Sequence, residues 1–105
     1  MIINRSQNNL QSSIWNEKLL SNPDATIFDL RPGFIKKTQG INKSQSLDLT
    51  NMQNLIQLLD KMDKKQIYFL YCENGEISSQ VSCLMDSLEF ENIHYLTGGL
   101  EKLNN

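Results

Sequence analysis

A run of apolar residues in the middle of the chain limits the folds that this sequence can adopt. The segment from Gln66 to Tyr71 is β-branched and aromatic, with no polar alternation after Gln66. This composition is typical of a strand that is buried on both faces of a parallel sheet. Cys72 follows at the carboxyl end of the run, which is the edge where open α/β sheets bind ligands. The run therefore predicts a central strand and places a candidate site beside it.

Amphipathic segments alternate with the apolar runs. Ser13 is predicted to cap a first helix that packs Trp15 against the sheet, and Thr50-Asn51-Met52-Gln53 has the form of a capping box. The stripe after this box covers the sheet with Met52, Leu55, Ile56, Leu59 and Met62, and a second stripe consists of Ile77, Val81, Leu84, Met85 and Leu88. The second stripe predicts a helix that begins at or just before Ser78. The alternation predicts an α/β fold with a mostly parallel central sheet.

Length and charge restrict the class of protein. The 105 residues are enough for one domain, and the net charge of −2 argues against a nucleic-acid partner. No apolar run approaches the roughly 20 residues that cross a bilayer, and the first ten residues lack the features of a signal peptide. We therefore expect a cytoplasmic protein that does not bind a membrane, with both of its cysteines free.

Three motifs resemble those of the rhodanese family of sulfurtransferases. Asp29-Leu30-Arg31 is similar to the family's Asp-x-Arg ending of the first core strand, Cys72 opens a similar loop, and Gly98-Gly99 is similar to the terminal turn. The resemblance covers about residues 13–103 and implies one rhodanese-like domain over 1–105, with a three-layer α/β/α architecture. It also implies that Cys72 carries sulfane sulfur as a persulfide. The donor would be a small sulfur compound or a persulfide-carrying protein, the acceptor a thiol, and no cofactor is expected.

The candidate site is the loop that consists of Cys72, Glu73, Asn74, Gly75, Glu76, Ile77 and Ser78. Persulfide chemistry requires a thiolate, which a helix N-terminus and inward-pointing backbone amides stabilise. Gly75 allows the loop to curl back, and Ser78 and Ser79 are expected to cap the next helix. We expect Cys72 to be accessible and the more reactive thiol, whereas Cys83 lies within that helix.

The loop departs from the usual pattern of active family members, Cys-x-x-Gly-x-Arg. Ile77 stands where the arginine would be, and Glu73 and Glu76 add carboxylates that disfavour a thiolate and repel thiosulfate. A neutral or cationic persulfide carrier, or a protein with a basic patch, therefore suits the loop better than thiosulfate does.

Other polar residues receive more ordinary interpretations. Asp29 and Arg31 are expected to support loops by hydrogen bonds and ion pairing, and His94 is expected at the surface without a metal-binding partner. The segment 35–42 keeps only the end of the family's Gly-His-Ile-Pro-Gly-Ala-Ile-Asn pattern. Its Lys36 and Lys37 either supply cations to the site or, as we favour, are solvated surface.

Two classes of function are consistent with the sequence. One is a sulfurtransferase or persulfide carrier that uses Cys72, and the other is a catalytically weak module that binds partners or senses redox state. Glu73, Glu76 and Ile77 favour the second class, whereas Cys72 and Gly75 favour the first. A tyrosine or dual-specificity phosphatase is disfavoured, because its Cys-x5-Arg loop would require arginine at the position of Ser78.

Overall fold

Five strands and four helices make up the part of the chain that the computed structural model describes, residues 8–33 and 40–103. The strands are β1 (Asn9–Leu10), β2 (Thr26–Asp29), β3 (Gln45–Ser46), β4 (Ile67–Tyr71) and β5 (Asn92–Leu96), and the helices are α1 (Ser12–Ser21), α2 (Met52–Asp60), α3 (Glu76–Ser87) and α4 (Gly99–Leu103). Lys36 and Lys37 lie outside the described residues. No helix within the described ranges is long and apolar enough to cross a membrane.

The strands form one parallel sheet in the order β1-β5-β4-β2-β3. β4 is central and pairs with β2 and β5, which confirms the prediction from the apolar run. Asp29 is in register with Tyr71, so the carboxyl ends of β2 and β4 meet at one edge of the sheet. Leu96 ends β5 at the same edge. This edge is where the sequence places the candidate site.

Helices cover both faces of the sheet. Successive side chains of β4 point to opposite faces, and since all of them are apolar or aromatic, both faces have to be buried. Tyr68 and Leu70 pack in a core beneath α2 and α3, and Cys72 belongs to the same cluster. Phe69 and Tyr71 pack in a second core with Trp15 of α1, whose ring makes edge contacts with both of them. The three-layer α/β/α prediction is therefore confirmed.

The starts of the helices differ from the predicted caps. Gln11, not Ser13, precedes α1 and makes no side-chain cap bond. Asn51, not Thr50, caps α2, and its side chain accepts a hydrogen bond from the backbone N–H of Asn54. Asn and Thr both favour this position, so the local sequence left two adjacent residues as candidates for one cap.

The apolar stripe of α2 is only partly used to cover the sheet. Leu55 and Leu59 are buried, but Met52 is 58% exposed and Ile56 is 36% exposed. The prediction that the whole stripe faces the core is therefore wrong for these two residues. Only the narrow side of α2 that carries Leu55 and Leu59 is buried against the sheet.

Candidate active site

Cys72 directly follows β4, and backbone amides point at its sulfur. The N–H of Gly75 donates to Sγ at 3.1 Å and the N–H of Ser78 donates at 3.4 Å. The Ser78 hydroxyl lies 3.5 Å from Sγ and donates to the Gly75 carbonyl at 3.2 Å. We call Cys72, Gly75 and Ser78 the sulfur cradle. Convergent N–H donors of this kind favour negative charge on the atom that they surround.

The cradle depends on the backbone conformation of Gly75. This residue is the N-cap of α3 and has φ of 91°, in the left-handed region that favours glycine. A Cβ at Gly75 would lie 2.9 Å from the backbone nitrogen of Gly98. Ser78 is therefore not the helix cap that the sequence predicts, and neither is Ser79, whose hydroxyl bonds the carbonyl of Glu76. Ser78 instead lies in the first turn of α3 and turns inward to the sulfur.

The turn after β5 holds the loop from the other side. The N–H groups of Leu100 and Glu101 donate to the carbonyls of Cys72 and Glu73, at 3.0 and 3.1 Å. Gly99 packs so closely that a Cβ there would collide with the Glu73 carbonyl. Sequence reasoning took Gly98-Gly99 only as a turn. Two consecutive glycines at a strand end were the available signal, since such pairs mark a close approach of backbones.

Cys72 is only 1% exposed, so the prediction that its thiol is accessible is wrong. The loop curls over the sulfur to aim its amides, and the same curl excludes solvent. Cys83, in α3, is only partly buried, and both cysteines are free. Cys83 is therefore the more exposed cysteine, whereas Cys72 is the one whose sulfur accepts hydrogen bonds from backbone amides.

Asp29 and Arg31 form a buried ion pair beside the cradle. Arg31 donates from Nε to Oδ1 of Asp29 at 3.1 Å and from Nη2 to Oδ2 at 2.9 Å, and its backbone N–H adds a third bond. Burial of Asp29 raises the pKa of its carboxyl, but the hydrogen bonds from Arg31 and Tyr71 outweigh burial, so this pKa lies below its ordinary value. The pair therefore stays charged at neutral pH.

Arg31 also reaches the loop. Its Nη1 lies 3.9 Å from a carboxylate oxygen of Glu73, which is partly exposed. At the surface such a contact contributes little stability, but it offsets part of the negative charge of the loop. Arg31 is therefore a source of positive charge close to the cradle, in addition to supporting Asp29.

Tyr71 anchors the segment that begins at Gly40, a role that the sequence analysis missed. Its hydroxyl accepts from the N–H of Ile41 at 2.9 Å and shares a hydrogen bond with the Ser44 hydroxyl at 2.8 Å. A Cβ at Gly40 would collide with that hydroxyl. The signal was a tyrosine at the end of a fully buried strand, because a buried phenol needs a hydrogen-bond partner.

Two clefts meet beside the loop at Ile77. One has a volume of about 610 Å³ and includes Leu30 and Arg31, and the other has a volume of about 320 Å³ and lies between α2 and α3. We call the second cleft the α2–α3 groove. It is lined by Leu49, Met52, Leu55, Ile77, Gln80, Val81 and Leu84. Ile77 therefore contributes an apolar side chain to both clefts.

His94 is half-buried, so the prediction of a surface residue holds only in part. Its ring lies 5.3 Å from that of Phe69, and within residues 8–33 and 40–103 its buried Nδ1 has no hydrogen-bond partner. Burial and the charge of Lys18 both lower the pKa of His94. Within the described ranges, no group of three or more His, Cys, Asp and Glu side chains is arranged to hold a metal ion.

Sequence comparison associates the chain with one domain family. A family model described as the Rhodanese-like domain matches residues 12–105. The chain is also 25% identical over 97 residues to a tRNA uridine(34) hydroxylase of Pelagibacter ubique (strain HTCC1062). The match covers 92% of this chain and 32% of that relative, so the chain spans about a third of the relative's length.

Solved structures share the fold. A rhodanese-like domain protein from Staphylococcus aureus matches with a TM-score of 0.73 at 19% identity, covering 91% of this chain and 90% of that one. A rhodanese homolog from the extremely thermophilic bacterium Thermus thermophilus matches with a TM-score of 0.63 at 22% identity, covering 90% and 98%. These similarities concern the architecture of the sheet and its helices.

Proposed function

The chain belongs to the Rhodanese-like domain family, and from this we propose that it transfers sulfane sulfur through a persulfide on Cys72. In the first step the Cys72 thiolate attacks the outer sulfur of a donor persulfide. A new S–S bond forms on Cys72, the donor's own S–S bond breaks, and the electron pair leaves with the donor thiolate. In the second step an acceptor thiolate attacks the outer sulfur on Cys72 and releases the Cys72 thiolate. The cycle needs no external oxidant or reductant.

The observation that carries this proposal is the pair of amide contacts to the sulfur. The N–H groups of Gly75, the N-cap of α3, and of Ser78, in its first turn, converge on Sγ, and the helix dipole adds to their effect. A thiolate is the nucleophile in such exchange reactions, so groups that favour its charge favour attack. After the first step the same donors can bind the sulfurs of the persulfide.

The composition of the loop indicates the kind of donor. Glu73 and Glu76 repel an anion such as thiosulfate, and Arg31, which is already bonded to Asp29, offsets only part of their charge. Ile77 offers an apolar wall in place of a charged one. These features support a neutral or cationic persulfide, including one that is carried on a protein.

Hydroxylation of tRNA, the activity in the name of the curated relative, is not part of this proposal. The chain corresponds to about a third of that relative, and its net charge of −2 and acidic loop do not favour a polyanionic substrate. A domain of a larger enzyme can nevertheless use the same thiol chemistry.

A second candidate function is a redox-sensing or partner-binding module with slow turnover. The burial of Cys72 favours it, since a donor must reach a sulfur on a residue that is only 1% exposed. The two candidates differ in whether sulfur is passed on after Cys72 receives it.

Intact mass spectrometry tests the proposal. The full chain is incubated with thiosulfate, with cysteine persulfide and with the cationic cysteamine persulfide, and then with a thiol acceptor. We expect the mass to rise by one sulfur atom with the persulfides, to rise less with thiosulfate, and to return to its original value with the acceptor. Cys72→Ser should lose the change and Cys83→Ser should keep it. Sulfur on Cys83 alone would contradict the proposal, and a persulfide on Cys72 that no thiol removes would favour the second candidate.

A further inference from the structure

The α2–α3 groove has an apolar floor that belongs to the core, with Leu55 and Val81 buried, and an apolar rim that the core does not cover. Met52 lines it and is 58% exposed, although it belongs to the stripe whose other members Leu55 and Leu59 are buried. Ile56 follows Met52 by one helical turn and is 36% exposed. Exposed apolar surface of this kind, continuous with a cleft, marks sites of interaction.

The loop end of the groove is acidic. Glu76, in the first turn of α3, directly precedes Ile77 of the groove, and neither α2 nor α3 contains lysine or arginine. Asp60 is paired with Lys64 and Asp86 is hydrogen-bonded to Asn8, and neither of them lines the groove. Glu73 adds a further carboxylate at the loop. An occupant with lysines or arginines beside its apolar residues would complement this surface.

The groove also reaches the sulfur cradle. Ile77 lines the groove and directly precedes Ser78, whose N–H bonds Sγ of Cys72. A partner segment that is bound in the groove therefore contacts Ile77, the neighbour of Ser78 in the cradle, and can place a thiol near the sulfur.

We propose that the α2–α3 groove docks a basic, amphipathic segment of a partner protein that exchanges sulfur with Cys72, a role that rests on the proposed function. A second copy of this chain is a poorer occupant. A symmetric pair would bring the same acidic residues together, since each copy presents the identical surface. The acidic loop at the end of the groove instead favours an unlike, basic partner.

Peptide binding tests the groove independently of sulfur chemistry. The probe is a synthetic, fluorescently labelled helical peptide with leucines on one face, lysines beside them and no cysteine; a second peptide has glutamates in place of the lysines. We expect the lysine peptide to bind at least about tenfold more tightly by fluorescence anisotropy. Met52→Gln should weaken its binding at least about fivefold, because the variant replaces an apolar contact with a polar one.

Leu58→Gln is the matched control. Leu58 lies in the same helix and is 47% exposed, but it does not line the groove. Equal weakening by both variants, equal binding of both peptides, or a dimer that Met52→Gln dissociates would each overturn the proposal.

A cysteine-containing form of the lysine peptide then tests the link to sulfur transfer. In Met52→Gln the ratio of its transfer rate to that of a small thiol should fall, and in Leu58→Gln it should not. If the peptide binds but Cys72 never acquires sulfur, the groove stands and the proposed function fails. If Cys72 acquires sulfur and the peptide does not bind, the groove proposal fails alone.

Discussion

The two cysteines have opposite surroundings at two places along α3. Cys72 lies beside the amino end of this helix, and Cys83 lies within it. Cys72 is almost fully buried, but two amides at the start of the helix point at its sulfur. Cys83 is more exposed, but it lies where helical N–H groups are directed at carbonyls one turn earlier. The orientation of backbone donors, rather than exposure, therefore distinguishes the candidate nucleophile in this fold.

The largest effect is expected when the cradle is removed and Cys72 is kept. Gly75→Ala forces a side chain into a left-handed conformation, with Cβ 2.9 Å from the Gly98 nitrogen. We expect a loss of about 1–3 kcal/mol in the free energy of unfolding and a large fall in persulfide formation on Cys72. Urea unfolding and intact mass measure the two effects.

Gly33→Ala is the control for this substitution. Among the described residues no atom lies within 4 Å of a Cβ at Gly33, so its variant should stay within about 0.5 kcal/mol of the parent. If Gly75→Ala formed the persulfide as readily as Gly33→Ala does, the cradle would not be what activates Cys72.

Alkylation by reagents of different size separates exposure from reactivity. A maleimide with a bulky dye should label Cys83 before Cys72, because Cys72 is 1% exposed. Iodoacetamide should shift the ratio of rates toward Cys72 by at least about tenfold, which is about 1.4 kcal/mol in activation free energy. Peptide mapping after short labelling times gives both rates. A ratio that does not depend on reagent size would mean that the loop does not shield the sulfur.

Variants of the acidic loop test whether its negative charge limits the rate of sulfur transfer at Cys72. Glu73→Gln, Glu76→Gln and Ile77→Arg together should raise sulfur transfer from thiosulfate by about tenfold, a change of about 1.4 kcal/mol in the barrier. Added salt should shrink the gain, because the Debye length is about 10 Å at 0.1 M. Glu89→Gln with Glu91→Gln, before the amino end of β5, is the control and should change little. With no gain in the triple variant, the shape of the loop rather than its charge would set the rate.

The smallest expected effect concerns His94, the chain's single histidine, which lies on the opposite face of the sheet from α3. Burial, and next the charge of Lys18, place the pKa of His94 in the folded state below its ordinary value of 6.5. The unfolded state therefore binds more protons than the folded state as pH falls through 6.5, so stability is full above this pH and declines below it. His94→Phe should flatten this decline between neutral pH and about pH 5, where carboxylates begin to titrate. Urea midpoints across this range measure it, and identical slopes in parent and variant would refute the assignment.

Much of the fold could be predicted because it depends on patterns within short segments. The buried run of β4, the strand that ends at Asp29 and the periodicity of α3 all specify which faces must be covered by other elements. Cap positions were less certain, since Thr50 and Asn51 are both suitable residues. His94 is more buried than the sequence predicts, because polarity alone does not show that a strand residue faces a helix.

Some features of the candidate site could likewise be predicted from the sequence, and others could not. The pattern of residues alone was enough to place Cys72 at the end of a buried strand, before a glycine and a helix, with Glu73, Glu76 and Ile77 in the same loop. Only the tertiary structure decided that the sulfur is buried, that Ser78 turns inward, and that Arg31 lies 3.9 Å from Glu73. It also decided that the turn at Gly99 holds the loop and that Met52 is left exposed beside the groove. Periodicity within a segment shows which of its residues must be buried. Contacts between segments that are distant in the chain depend instead on how the helices and loops pack against the sheet.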